Sequence, residues 1–256
     1  MKTYALITGS SKGIGRSIAL KLAKKGYNLL LVARSESALL EVKQKAELEN
    51  PGVDVQYKVI DLSEANAASR IHNWCIVYNI SVLVNNAGYG LWGKFENISL
   101  PEQLNMMHLN MNTLVELSYY ILPLLKQHKE AYILNVASTA AYQAVPTLGL
   151  YSATKSFVLS FSRALNFELK NTVSVTCVCP GPVETGFADR AGMVILSKMA
   201  DRFNMQPDEV AETAIKGMFN KKVEVIPGLT NKITAFANRL LPKRFIEKTA
   251  AGIYKI

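Results

Sequence analysis

The chain is poor in the residues that staple small folds or hold metals: among 256 residues there are three cysteines, three histidines and two tryptophans. Cys75, Cys177 and Cys179 are an odd, sparse set with no metal-ligand spacing to the histidines. That excludes a disulfide framework and leaves a structural metal without ligands. No apolar run approaches the roughly 18 residues that a transmembrane helix needs. Proline- and glycine-rich linkers, low-complexity tracts and internal repeats are also missing, so one domain over 1–256 is expected. The first strand starts at about Thr3, which leaves no room for a targeting peptide and suggests a reducing cytoplasm. Acidic residues are in deficit, 20 against 29 lysines and arginines, giving a net charge of +9. No stripe of basic residues interleaved with stacking aromatics accompanies that charge, so no nucleic acid is expected. The charge fits attraction to anionic cofactors and substrates, or to an acidic carrier or membrane surface; it is equally a solvated basic surface.

What is present is alternation. Apolar, strand-like runs occur at Ala5–Ile7, Leu29–Val32, Val53–Ile60, Ser81–Val84, Tyr132–Val136, Val173–Val178 and Val223–Ile226. Helical patterns fill the gaps at 14–25, 36–48, 64–78, 101–127, 152–170 and 207–220. This order predicts an α/β fold, a doubly wound Rossmann-type sheet of about seven parallel strands with helices on both faces. A core over 1–227 is followed by a helical tail over 228–256. Ligands of such sheets bind outside the carboxyl ends of the strands, where strand order reverses.

The first such end carries Thr8-Gly9-Ser10-Ser11-Lys12-Gly13-Ile14-Gly15. A strand, a glycine turn and a helix N-terminus together form an anion site, since free N–H groups and the helix dipole both favour a phosphate. Gly9 permits the sharp turn, Gly13 a close backbone approach, and Gly15 close packing of helix on strand. The spacing is G-x-x-x-G-x-G, not the dinucleotide fingerprint G-x-G-x-x-G.

Further elements follow in order. Asn85-Asn86-Ala87-Gly88 closes the fourth strand, Asn110 lies in the long fifth helix, and Ser138 follows the fifth strand. Tyr151 and Lys155 form Tyr-x-x-x-Lys, with Ser138 thirteen residues upstream; Pro180-Gly181-Pro182-Val183-Glu184-Thr185 ends the sixth strand. The ordered set resembles the short-chain dehydrogenase/reductase family over about residues 3–227.

The chemistry is legible in the residues. Tyr151 and Lys155 stand one helical turn apart, on one face. A tyrosine titrates near ~10, and a neighbouring ammonium lowers that value. Tyr151 then exchanges a proton with a substrate oxygen, and the Ser138 hydroxyl polarises the same carbonyl. The resemblance implies that Lys155 also holds nicotinamide ribose hydroxyls and that Asn110 seats a water in a proton relay, with Asn112 a nearby competitor for that place. It implies a cofactor site of Gly9, Ser11, Lys12, Gly13, Ile14, Gly15, Arg34, Asp61, Leu62, Asn86, Ala87, Gly88, Tyr151, Lys155, Pro180, Gly181, Val183 and Thr185. An acid at the end of the second strand would accept bonds from a ribose 2′-hydroxyl, whereas a basic side chain favours a 2′-phosphate. Ala33 and Arg34 occupy that stretch, with Lys12 in the glycine turn, which in the family resembles an NADP(H) signature. Glu36 falls where it would serve the N-terminus of the next helix.

Two long helices, 101–127 and 152–170, are apolar on more than one face: Phe157, Phe161 and Ala164 on one side of the second, Val158, Leu165 and Leu169 on another. A second stripe suggests a partner surface, and the resemblance implies a homodimer or homotetramer. Pro123 should kink or end the first. Between Thr185 and Met205 an apolar stretch including Phe187, Met193, Ile195, Leu196 and Phe203 is expected to arch over the site as a lid. Leu91, Trp92, Tyr142, Val145, Pro146 and Leu148 would border the same cleft. The basic amphipathic tail has two readings: packing over the cleft or a neighbouring subunit, or peripheral contact with a membrane. The expected activity is NADPH-dependent reduction of a lipophilic ketone. A 3-oxoacyl reductase acting on a carrier-bound thioester is a second reading, and a catalytically silent NADP(H) sensor a third.

Overall fold

A computed structural model describes residues 3–186 and 205–254. Alternating strands and helices appear in the expected order: β1 (Tyr4–Thr8), α1 (Gly13–Lys24), β2 (Asn28–Ala33), α2 (Glu36–Glu49), β3 (Val55–Val59), α3 (Ala67–Cys75) and β4 (Ile80–Asn85). Then follow α4 (Leu100–Met107), α5 (Thr113–Leu125), β5 (Tyr132–Val136), α6 (Gly149–Glu168), β6 (Ser174–Val178), α7 (Pro207–Phe219) and β7 (Glu224–Val225). The tail forms α8 (Leu229–Leu240) and α9 (Lys243–Tyr254). The expected lid stretch, Phe187 to Phe203, lies outside the described residues.

The seven strands pair in the order β3-β2-β1-β4-β5-β6-β7, all parallel. Alternation of side chains divides each strand between two cores. Ala5, Ile7, Leu29 and Leu31 pack under α1, α2 and α7 through Ile18, Leu22, Leu39, Val42 and Met218. Leu6, Leu30, Leu83, Ile133 and Val175 pack under α3, α5 and α6 through Ile71, Leu117, Ile121 and Tyr151. Fully burying one such leucine or isoleucine contributes about 1.5–3 kcal/mol, so both faces are strongly held. Strand order reverses beside β1, which lies between β2 and β4, and the crevice therefore opens at Thr8–Gly9 and Asn85–Gly88.

The long helix expected over 101–127 is interrupted. Between α4 and α5, residues His108–Asn112 form a π turn, which inserts one residue into the helical repeat. Pro123 stands inside α5, which ends two residues later, at Leu125. Cys177 and Cys179 are fully buried with their sulfurs 3.9 Å apart, and burial pushes the Cys75 thiol up to about 12. These are core thiols. Among the described residues no helix is long and apolar enough to cross a membrane.

Candidate active site

The glycine turn is built as its sequence requires. Gly9 and Gly13 have φ of +63° and +56°, a region side chains rarely adopt. A Cβ on Gly15 would lie 2.3 Å from the Gly9 carbonyl oxygen, so helix and turn touch there through backbone alone. Lys12 is the N-cap of α1 and supplies no side-chain acceptor, and no acidic residue stands in the first turn. Among the described residues no side chain caps α1, and the first N–H groups of a helix, including that of Ile14, have no acceptor within the helix, an arrangement that suits an anion. Ile14's side chain packs on the core, while Ser11 is half-buried and Lys12 exposed.

Two hydroxyls that sequence reasoning passed over fix this turn. Thr8 Oγ1 donates to the Val84 carbonyl (3.2 Å) and accepts from the N–H groups of Asn86 (3.0 Å) and Ala87 (3.1 Å). Ser10 Oγ accepts from the Val32 N–H at 3.1 Å. Asn86 Nδ2 donates to the carbonyls of Thr8 and Gly9, both at 3.0 Å. Asn86 and Ala87 therefore clamp β4 to the glycine turn. Thr185 closes the far side: a Cβ on Gly13 would lie 2.9 Å from the Thr185 Cβ. The loop carrying Thr185 is held by reciprocal bonds, Glu184 N–H to the Met205 carbonyl and Met205 N–H to the Pro182 carbonyl, with Val183 bridged to Met205. The Pro180 carbonyl accepts from the Thr139 N–H at 2.8 Å, and Gly181 abuts the Asn231 amide of α8.

At the end of β2 the exposed Arg34 guanidinium meets Asp61 at 3.4 Å. Burial raises the Asp61 carboxyl, but bonds from the Ser63 N–H and hydroxyl, with the Arg34 charge, outweigh it and hold the group below its ordinary value. Leu62 is placed differently: its side chain is buried in the core and its carbonyl accepts from Thr113 Oγ1 at 2.8 Å. Only Asp61 of that pair presents a polar group outward. Ser35, not Glu36, caps α2; Glu36 accepts from the Tyr57 hydroxyl at 3.1 Å.

Two of the four expected catalytic residues, Asn110 and Lys155, meet at Gly88, and a third, Tyr151, lies beside Lys155. A Cβ on Gly88 would lie 2.8 Å from Asn110 Oδ1 and 3.6 Å from Lys155 Nζ. On α6 the buried stripe of Tyr151, Lys155, Val158 and Ser162 turns Tyr151 and Lys155 inward. Lys155 Nζ lies 5.8 Å from the Tyr151 ring centre and donates to the Val136 carbonyl at 2.9 Å. Burial holds the Lys155 ammonium down to about 8, against a smaller opposing pull from Cys177 and Cys179. Asn110 is buried on the π turn. Its Oδ1 accepts from the Tyr89 N–H (3.2 Å), and its Nδ2 donates to the Tyr89 carbonyl (2.9 Å) and Thr154 Oγ1 (3.1 Å). Asn112, its competitor, is exposed. Ser138 follows β5, and its Oγ accepts from the Ala140 N–H at 3.1 Å, starting a 3-10 turn over Thr139–Tyr142. Tyr142 does not offer its hydroxyl to a cleft; it donates to Glu224 at 2.7 Å, and Glu224 also binds Arg163.

Residues 3–194 match the short chain dehydrogenase family. The chain belongs to it. Ketoacyl reductase HetN of Nostoc sp. is 31% identical over 241 residues, covering 92% of this chain and 82% of that protein. A very-long-chain 3-oxoacyl-CoA reductase of Mycosarcoma maydis is 32% identical over 174 residues, 66% of this chain but half of that longer protein. A short-chain dehydrogenase from Sphingobium yanoikuyae, solved in complex with NADPH, superposes with a TM-score of 0.82 at 29% identity over 93% of both chains. The architecture of this short-chain dehydrogenase thus extends past the matched segment, through β7.

Proposed function

We propose that the protein is an NADPH-dependent carbonyl reductase whose substrate is a lipophilic ketone or keto-acyl compound. The observation that carries this is the meeting of Asn110 and buried Lys155 at Gly88, with Tyr151 beside Lys155, next to a glycine turn whose helix has no side-chain N-cap bond. The residues fit the cofactor. The first turn of α1 would hold the pyrophosphate and Arg34 and Lys12 a 2′-phosphate, while Thr185 borders the turn from the β6 loop. When bound, NADPH supplies the hydride.

The chain's own residues handle the proton. Tyr151 gives its phenolic proton to the carbonyl oxygen as that oxygen gains negative charge. Ser138 donates to the same oxygen, stabilising charge that is larger in the transition state than in the ground state. The Lys155 ammonium favours the phenolate that Tyr151 becomes, and its anchoring to the Val136 carbonyl fixes its position. Asn110 orders the backbone of Tyr89 and touches Thr154 on α6, which supports a role beside a proton path.

Helix α6 supports assembly with further copies. Val158 and Leu169 are buried on the sheet, while Phe157, Phe167 and, on α5, Tyr119 remain exposed. The names of the relatives favour one variant of this reading, reduction of a 3-oxoacyl thioester.

Purified protein should be assayed with NADPH against ketones of graded alkyl length and against the matching carrier-bound thioesters. Each methylene buried from water contributes about 0.8 kcal/mol, so kcat/KM should rise about fourfold per added carbon until the cleft is filled. A flat dependence, or preference for short polar carbonyls, overturns the lipophilic assignment. Activity confined to carrier thioesters selects the second variant. Tight NADPH binding with no turnover on any carbonyl would leave a sensor.

A further inference from the structure

Helix α8 reverses the usual rule for a helix that packs on a domain. Its inward face is small and polar: Ala235 and Asn238 are buried, and Asn231 abuts Gly181 while donating to the Pro227 carbonyl. Its large apolar residues point outward. Leu229, Ile233, Phe236 and Leu240 are 73%, 61%, 61% and 70% exposed. At 3.6 residues per turn these four positions lie within about 60° of one another, one continuous stripe. Leu241 and Phe245 extend it at the turn into α9, where Ile246 and Ala250 are the buried residues.

Charge accompanies the stripe. Residues 228–256 hold six lysines and arginines against one acid, Glu247, so this ninth of the chain carries +5 of the total +9. Exposed Lys232 flanks the stripe on α8, and exposed Lys243, Arg244 and Lys248 follow on α9. A soluble partner protein would need a matching acidic groove. An anionic bilayer offers both components at once, acyl chains for the stripe and headgroups for the cations.

We propose that the outward face of α8, with the start of α9, is a docking surface for anionic lipid. The two helices lie in the interface with Ile233 and Phe236 among the acyl chains and the lysines at headgroup level. Helix α8 packs on the 3-10 turn that follows Ser138 and on the Gly181 loop, so docking brings the active-site loops close to the lipid surface. The proposal stands whichever carbonyl is reduced.

The test is co-sedimentation of the full chain with sucrose-loaded vesicles. One set is pure phosphatidylcholine; the other has about a third phosphatidylglycerol. Partitioning onto the anionic vesicles should be at least tenfold stronger than onto neutral ones, and should fall severalfold between roughly 0.05 and 0.5 M salt as charges are screened. Ile233→Glu/Phe236→Glu should lower it more than tenfold without lowering the thermal midpoint, since both side chains are already exposed. Lys232→Glu/Lys248→Glu, which leaves the stripe intact, should remove the preference for anionic vesicles. Equal, salt-insensitive partitioning of the parent protein onto both vesicle types overturns the proposal. So does an oligomer that Ile233→Glu/Phe236→Glu dissociates, because the stripe is then covered by a second copy.

Discussion

Replacing Asn110 by alanine separates a residue that builds the site from one that only decorates it. Its amide lies in a buried pocket and makes three bonds, two to the backbone of Tyr89 and one to Thr154 Oγ1. Thr154 keeps its own donation to the Tyr151 carbonyl at 2.8 Å, so its loss is the smallest. The Tyr89 backbone loses an acceptor at its N–H and a donor at its carbonyl. At about 1 kcal/mol for each net bond, and 1–3 kcal/mol where a buried group is left unsatisfied, Asn110→Ala should cost about 2–4 kcal/mol. For a chain of this size that corresponds to a fall of roughly 4–16 °C in Tm. Asn112→Ala is the control, because Asn112 occupies the same π turn but is exposed, and an exposed substitution should stay within about 0.5 kcal/mol. Thermal and urea unfolding of both variants, with turnover measured on the same preparations, decides the matter. Equal midpoints for the two variants would refute the reasoning, since Asn110 would then hold neither Tyr89 nor the π turn in place.

Three further outcomes follow from the site. Tyr151→Phe removes only a proton donor, so kcat should fall by about 10²–10⁴ with NADPH affinity unchanged; more than about a tenth of parental turnover would mean that another acid acts. Arg34→Ala removes a charge-assisted phosphate contact of about 1.5–3 kcal/mol, so titration should show NADPH affinity falling roughly tenfold or more while NADH affinity holds, and equal losses for both would exclude a 2′-phosphate contact. Lys155 sits near 8 because burial disfavours its charge, so the ammonium that supports Tyr151 is present below that value and lost above it. The pH profile of kcat/KM for reduction should therefore be level up to about pH 8 and then decline about tenfold per unit; a plateau extending to pH 10 would show that the charge of Lys155 is not needed.

The parts of the molecule legible in the sequence are those set by local chemistry or strict periodicity. Gly9, Gly13 and Gly15 each answer a steric demand that the structure displays, and the apolar runs became strands because alternation divides them between two cores. The Tyr-x-x-x-Lys spacing is local in the same way: four residues apart on a helix, Tyr151 and Lys155 share one face, and both are buried on α6. What escaped depends on partners far along the chain. Thr8 and Ser10 have no role in the glycine pattern itself, yet their hydroxyls tie the turn to β4 and β2. Tyr142 looked like an apolar wall, but its hydroxyl belongs to Glu224, 82 residues later. The π turn was invisible because one inserted residue leaves the apolar pattern intact on either side of it, although that insertion is where Asn110 is buried and Asn112 exposed. The tail is the most instructive case. Its helical period was plain, and the period says only that one face is apolar, not that this face is the buried one. In α8 the residues turned to the body of the protein are Ala235 and Asn238, with Asn231 against Gly181. Leu229, Ile233, Phe236 and Leu240 lie on the opposite side, so the helix turns its apolar face away from its own core.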